Sequence, residues 1–163
     1  MEVEELQLVL QKLRLKNKKI GFTCSCFDIL HAGHYLMLKD SKQQCDVLVV
    51  GLQTDPTIDA KYRVDTGGKN KNKPIQSYPE RLIQIEGCRY VDLIVKYSTE
   101  ENLMELLKAV NPDIRILGTD WKGKTYTGHE LDIKIHWHVR NHDYSTSELR
   151  KQVYYAEKKK LEV

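Results

Sequence analysis

The chain contains an unbroken apolar run, Val47-Leu48-Val49-Val50, within the segment from Asp46 to Leu52. A strand with one solvated face alternates apolar and polar residues, whereas a strand covered by helices on both faces stays apolar throughout. The run therefore predicts a buried strand of a parallel sheet. Because parallel strands need long crossover connections, helices are expected before and after it.

Segments with strand and helix character alternate along the rest of the chain. We predict strands over Ile20 to Phe27, Asp46 to Leu52, Val91 to Val95, Ile114 to Leu117 and Ile133 to Val139. We predict helices over His34 to Gln43, Ser77 to Cys88 and Thr99 to Val110, and a last helix that opens within Tyr144 to Glu148. This order predicts an α/β fold with a single doubly wound, mostly parallel sheet of the Rossmann-like type.

The apolar residues near the N-terminus follow helical spacing and predict an added amphipathic helix. We therefore divide the chain into an N-terminal helix at residues 1–16, a main domain at 17–157 and a basic C-terminal tail at 158–163. A polar, Gly- and Lys-rich segment from Pro56 to Gln76 interrupts the main domain, and loops of this length are commonly functional.

Composition narrows the function classes. A formal net charge of +3 over 163 residues is too small to indicate a nucleic-acid-binding protein. The apolar runs are all shorter than the roughly 20 residues of a membrane span, and the cysteines lie in apolar, structured stretches where we expect reduced thiols. These features favour a cytoplasmic protein with no membrane partner.

The turn from Phe27 to His34 carries the most specific chemical signal, Phe-Asp-Ile-Leu-His-Ala-Gly-His, where the first strand passes into a helix. His31 and His34 are three residues apart and so lie on one helical face. Gly33 between them lets a phosphate approach the backbone, and the helix N-terminus attracts anions. We therefore predict a phosphate-binding site at this turn.

Two other interpretations of the turn stay open. The histidines could form a capping or packing pair with no ligand. Alternatively, Cys24, Cys26, His31 and His34 could supply four zinc ligands in a C-x-C…H-x-x-H pattern. The other histidines, which we expect at the surface or on the edge strand and not as ligands, are His129, His136, His138 and His142.

An H-x-G-H motif after a strand that ends in Phe-Asp resembles the signature of the cytidylyltransferase-like nucleotidyltransferases. Further motifs follow in the family's order, and together they resemble those of the glycerol-3-phosphate cytidylyltransferases. These motifs are Glu80-Arg81, Arg89-Tyr90-Val91-Asp92, Gly118 to Lys124, and Arg140 followed by Ser145-Thr146-Ser147. The resemblance covers about Lys18 to Val153.

The resemblance implies roles for individual residues. His31 and His34 would stabilise the pentavalent α-phosphate, with Lys61 and Arg140 as further catalytic cations. The implied nucleotide-binding residues are Cys26, Phe27, Asp28, Gly33, Gly118, Asp120, Trp121, Ser145, Thr146 and Ser147. Residues expected to bind the acceptor or to act structurally are Arg63, Arg81, Arg89, Asp92 and Lys124. For Arg81, Arg89 and Asp92, the structural alternative is an ion-pair set.

The activity implied by the resemblance is transfer of CMP from CTP to a small phosphorylated alcohol such as glycerol 3-phosphate, with release of pyrophosphate. Mg²⁺ is expected, held mainly through the phosphates, and the implied assembly is a homodimer. One departure from the family pattern is Asn141-His142-Asp143-Tyr144, where relatives tend to have Thr-x-Gly-Ile.

Two alternative functions remain. One is an ATP-dependent adenylyltransferase that acts on a sugar phosphate or FMN. The other is a non-catalytic nucleotide- or nucleic-acid-binding module. Its phosphate contacts would be Lys69, Lys71, Lys73 and Lys158 to Lys160.

Overall fold

The computed structural model describes residues 1–59 and 71–162. These residues contain five β-strands, which are β1 (Ile20–Ser25), β2 (Val47–Gln53), β3 (Leu93–Tyr97), β4 (Ile114–Gly118) and β5 (Ile135–His138). They also contain five α-helices, which are α1 (Val3–Leu15), α2 (Ala32–Gln43), α3 (Tyr78–Glu86), α4 (Glu100–Val110) and α5 (Thr146–Leu161).

The five strands form one sheet in the order β3-β2-β1-β4-β5, and every neighbouring pair is parallel. The winding starts at β1, proceeds outward through β2 and β3, and then returns to the other side of β1 for β4 and β5. This confirms the predicted doubly wound α/β sheet. The topological switch point lies at the carboxyl ends of β1 and β4, which is where ligands bind in such sheets.

Strand β2 shows why the sequence carries an unbroken apolar run. Leu48 and Val50 face one core cluster together with Ile85 of α3. Val49 faces the other cluster, which contains Leu6 and other residues of α1 and α4. Because helices cover both faces of the sheet, the side chains on both faces of β2 are buried, as expected for a central parallel strand.

Most element boundaries differ from those predicted by one or two residues, and two of the differences have a clear cause. Helix α2 begins at Ala32, two residues before the predicted His34, because His31 caps it. Strand β3 runs from Leu93 to Tyr97 and not from Val91 to Val95. The predicted strand stopped at Val95 because the charged Lys96 interrupts the apolar run. On this edge strand Lys96 is exposed, and the strand continues to the buried Tyr97.

Helix α5 lies at the surface. It has no buried residue and continues to Leu161, so the domain boundary expected at residue 157 falls inside it. Of the described helices, none has the length and apolar character required to cross a membrane. Of the long polar segment, residues 60–70 lie outside the described residues, and with them Lys61, Arg63 and Lys69.

Candidate active site

The two histidines of the H-x-G-H turn hold each other in place through the backbone. His31 is the N-cap of α2, and its Nδ1 accepts a hydrogen bond from the Gly33 N–H at 3.1 Å. In return, the His31 N–H donates to Nδ1 of His34 at 3.4 Å. The rings are stacked, with centroids 3.8 Å apart and planes 27° apart. This reciprocal capping fixes the direction of both imidazoles.

The same hydrogen bonds set the tautomers. Because each Nδ1 accepts from a backbone N–H, each neutral ring carries its proton on Nε2. The His31 Nε2–H then donates to Oγ1 of Thr146 at 3.2 Å, and the Thr146 hydroxyl donates to the Asp28 carbonyl oxygen at 3.4 Å. This chain of contacts joins the start of α2 to the start of α5.

Both rings are neutral at pH 7. Burial, together with the nearby His31 and Arg140, lowers the pKa of His34 to about 3. Burial also lowers the pKa of His31, with Arg140 and His142 as additional causes. The pair therefore presents N–H donors and not fixed cations in the free protein.

The low pKa of His34 makes stability depend on pH. Between about pH 6.5 and pH 3 the unfolded chain binds a proton at this position that the folded chain does not, so stability falls as the pH is lowered. We expect His34→Asn to remove up to about 1.4 kcal/mol of this loss for each pH unit below about 6. Urea unfolding at pH 7 and pH 4.5 measures it, and equal pH dependence in the variant and the wild type would contradict the assignment.

The backbone before His31 is held in an unusual turn. Phe27 and Ile29 have positive φ angles of 48° and 47°, which non-glycine residues rarely adopt. The buried Asp28 carboxylate accepts from the N–H groups of Ile75 at 2.9 Å and Gln76 at 3.0 Å. In return, the Gln76 side chain accepts from the Ile29 N–H at 2.9 Å. Asp28 thus fixes the turn against the segment before α3.

A cleft opens beside His34, at the carboxyl end of β1. It brings together residues that are distant in sequence and includes six predicted site residues, Cys26, Phe27, Asp28, His34, Thr146 and Ser147. Its other lining residues are Ser25, Pro56, Lys71, Asn72 and Arg150. Ser145 caps α5 by accepting from the Glu148 N–H at 3.1 Å, so the N-termini of two helices meet at this site.

Arg150 is a cleft residue that our sequence analysis did not select. Its Nη1 lies 4.0 Å from Oδ2 of Asp28, a carboxylate already bound by two backbone N–H groups. Helical spacing could have identified it, because Arg150 lies four residues after the predicted site residue Thr146 and so on the same face of α5.

The environment of Gly33 gives a further reason for a residue without a side chain at this position. A Cβ atom at this position would lie 3.0 Å from Cε1 of His31, 3.0 Å from Cε1 of His142 and 3.0 Å from the Tyr144 carbonyl oxygen. In the free protein, the missing side chain thus makes room for two imidazoles and a carbonyl group.

The charge of Arg140 acts on both histidines of the H-x-G-H turn. Its guanidinium donates to the Tyr144 carbonyl oxygen at 2.7 Å, and its charge lowers the pKa of both His31 and His34. The side chain is exposed, so it is available to an entering ligand.

The predicted residues after β4 do not line the cleft. Asp120 and Trp121 form a short 3₁₀ turn, Thr119–Trp121, at the same edge of the sheet. The Asp120 carboxylate lies over Gly118, where a Cβ atom would collide with it. Trp121 is 38% exposed, and Lys124 is exposed in the loop that follows.

The expected ion-pair set of Arg81, Arg89 and Asp92 does not form. Asp92 pairs instead with Lys42 at 2.6 Å and accepts from the Leu48 N–H at 2.7 Å, at the amino ends of the strands. Arg89 is exposed and lies over the Tyr90 ring.

Arg81 is fully buried, and among the described residues its hydrogen bonds go to backbone oxygens and one thiol, while its guanidinium also lies over the Tyr78 ring. Its guanidinium donates to four carbonyl groups, at 2.8 Å to Cys26, 2.6 Å to Gln53 and 3.1 Å to Gln76, and also to Thr54. It therefore joins the ends of β1 and β2 to the segment before α3. A structural role was one of the two expected for Arg81, but the sequence did not reveal these carbonyl partners.

The zinc alternative finds no ligand set in the described residues, where no three His, Cys, Asp or Glu side chains are placed to hold a metal ion. Cys24 packs against the core cluster that contains α1 and α4. The Cys26 thiol accepts from Arg81 at 3.4 Å, and burial raises its pKa.

A doubly wound sheet whose switch point holds two N–H-donating imidazoles and two helix N-termini defines a phosphate-binding α/β protein. The family model for cytidylyltransferase-like proteins matches residues 22–152. The chain therefore belongs to the cytidylyltransferase-like family of nucleotidyltransferases, and the family expected from its motifs is confirmed.

Relatives of the chain include two bifunctional HldE proteins. The protein from Wolinella succinogenes is 35% identical over 134 residues, which are 81% of this chain and 27% of the relative. The protein from Campylobacter curvus is 37% identical over 120 residues, which are 72% of this chain and 24% of the relative. The chain thus spans about a quarter of the length of these relatives.

Two solved structures are similar to this fold. The lipopolysaccharide core biosynthesis protein from Thermoplasma volcanium has a TM-score of 0.55 at 29% identity and covers 78% of this chain and 99% of its own. A pantoate-beta-alanine ligase from Francisella tularensis has a TM-score of 0.58 at 18% identity, covers 87% of this chain and 66% of its own, and shows the fold alone. The expected specificity for CTP and glycerol 3-phosphate gains no support from these similarities.

Proposed function

We propose that the chain transfers an adenylyl group from ATP to the phosphate of a sugar phosphate and releases pyrophosphate. The similarity to HldE proteins supports this alternative over CTP and glycerol 3-phosphate. The similarity to a protein of lipopolysaccharide core biosynthesis also supports a sugar-derived acceptor, and a heptose phosphate is the first acceptor to test.

The observation that carries the proposal is the stacked histidine pair at the meeting point of two helix N-termini. The Nε2–H of His34 is a donor for a phosphate oxygen, and that of His31 becomes one when a phosphate oxygen replaces Oγ1 of Thr146. The helix dipoles attract the same anion. Transfer of a phosphoryl-type group depends mainly on positioning and on stabilisation of charge, which such a site supplies.

In the proposed reaction, an oxygen of the acceptor phosphate attacks the α-phosphorus of ATP in line. A bond forms between that oxygen and phosphorus, and the bond from phosphorus to the bridging oxygen breaks, so pyrophosphate departs with the electron pair. His31 and His34 donate hydrogen bonds to the α-phosphate as charge builds there. Arg140 and Arg150 offset the charge of the departing pyrophosphate. No protein nucleophile is required.

The cleft also fits the expected Mg²⁺. Among the described residues that line it, Asp28 supplies the one carboxylate, and both its oxygens already accept backbone N–H groups. Mg²⁺ keeps several waters and binds largely through substrate phosphates, so it needs few protein ligands. When bound, it would neutralise part of the triphosphate charge.

A matrix of substrates tests the proposal. The full chain is incubated with ATP, CTP, GTP or UTP and with a heptose phosphate, glycerol 3-phosphate or FMN, and pyrophosphate release is measured. We expect kcat/KM for ATP with the sugar phosphate to exceed every other pair by at least about tenfold. A higher value for CTP with glycerol 3-phosphate would contradict the assignment of substrates. Salt-dependent RNA or DNA binding with no pyrophosphate release would favour the non-catalytic alternative.

A further inference from the structure

Both ring nitrogens of His142 are buried, and among the residues that the structure describes none forms a hydrogen bond with either of them. A neutral imidazole has one N–H donor and one acceptor, so a buried ring without partners destabilises the free protein. Such a group in a native fold requires an explanation, and a missing ligand is one.

The position of this ring ties it to the catalytic turn. Its Cε1 lies 3.0 Å from the point where a Gly33 Cβ would be, and Cε1 of His31 lies at the same distance from that point. The two Cε1 atoms are thus at most twice that distance apart. A single phosphate group is large enough to contact both rings.

The neighbours of His142 show what kind of partner is missing. The charged and titratable groups near this ring include Arg140, which has no acceptor, His31, whose two nitrogens are already engaged, and the exposed carboxylate of the adjacent Asp143. The Tyr144 ring packs against His142 with centroids 5.0 Å apart, and its carbonyl oxygen accepts from Arg140. A partner that enters beside Arg140 and two helix N-termini is an anion.

We propose that His142 is a third phosphate-binding imidazole of this site, whose ring N–H donates to an oxygen of a bound phosphate. The inference rests on the proposed function and extends it to a residue in the segment that departs from the family pattern. That phosphate belongs to the nucleotide or to the acceptor, and the two sources are separable by measurement.

The test compares His142→Phe with His142→Gln in the full chain. Phe keeps a ring over Gly33 but has no hydrogen-bonding atom, whereas Gln keeps an N–H donor at a similar reach. Calorimetry measures the Kd for inorganic tripolyphosphate, ATP and the sugar phosphate, each alone. We expect His142→Phe to raise the Kd of at least one of them about tenfold or more, and His142→Gln to restore part of the loss. Weaker binding of tripolyphosphate and ATP would assign the contact to the nucleotide, and weaker binding of the sugar phosphate would assign it to the acceptor.

Thermal unfolding gives a second readout that a purely structural role would not produce. Because Phe removes two unsatisfied polar atoms, the Tm of free His142→Phe should equal or exceed that of the wild type while its phosphate binding is weaker. His129→Phe, on an exposed loop, is the matched control and should change neither value.

Two outcomes separate this inference from the proposed function. Normal turnover by the wild type, with Kd values of His142→Phe within twofold for every phosphate, would overturn the inference alone. A wild-type protein that binds neither tripolyphosphate nor nucleotide would overturn both.

Discussion

His34→Ala is expected to lower kcat by about 10²- to 10³-fold, the usual effect of removing one donor that stabilises developing negative charge. The His34 ring lines the cleft, and its Nε2 carries the proton because Nδ1 accepts from the His31 N–H. In the proposed reaction this donor binds the α-phosphate, and the variant lacks it. His34→Gln keeps an N–H group of similar reach and should retain more activity. Pyrophosphate release under saturating substrates measures both.

The control for this prediction is His129→Ala, which removes an exposed imidazole far from the turn in sequence and should keep full activity. Circular dichroism establishes that the His34 variants remain folded. A folded His34→Ala variant with wild-type kcat would show that this imidazole does not act on the reacting phosphate.

Arg81→Ala is expected to lower the free energy of unfolding by about 3–5 kcal/mol, because it leaves buried carbonyl groups without donors. The variant loses the hydrogen bonds to the carbonyl groups of Cys26, Gln53, Thr54 and Gln76. These carbonyl groups belong to three separate parts of the chain, since Gln53 and Thr54 are adjacent. For a domain of this size, the loss corresponds to a Tm lower by about 10 °C. Urea unfolding monitored by circular dichroism measures the change.

The chain offers a matched control in Arg89→Ala. Arg89 is exposed, and its recorded contact is a cation–π contact with Tyr90 at 5.8 Å, so the expected loss is within about 0.5 kcal/mol. Equal losses for the two arginines would contradict the structural role of Arg81. A destabilised Arg81→Ala that still binds nucleotide at low temperature would show that the residue supports the cleft without contacting the ligand.

The fold was predictable because its signals are local. The apolar run of β2, the Ser77 and Thr99 capping boxes, and the Phe27 to His34 turn each lie within a few residues of sequence. Each determines its element before any tertiary contact is considered. The order of these elements then restricts the sheet to a parallel, doubly wound topology.

The parts of the site that sequence did not reveal depend on contacts between distant residues. The Arg81 guanidinium binds carbonyl groups up to 55 positions away, and a backbone carbonyl has no signature in sequence. His142 packs beside Gly33, which precedes it by more than 100 residues. The exposure typical of histidines therefore did not predict the position of this ring. The α2 cap is formed by two histidines, a pair outside the usual Ser/Thr and Glu/Gln pattern.

Transfer of label from [α-³²P]ATP to a sugar phosphate tests the central claim most directly. We expect the label to appear in the sugar nucleotide, with unlabelled pyrophosphate released in equal amount and no label on the protein. Replacement of both His31 and His34 by Ala should abolish the transfer in a folded protein. Label bound covalently to the protein, or full transfer by the folded double variant, would contradict the account.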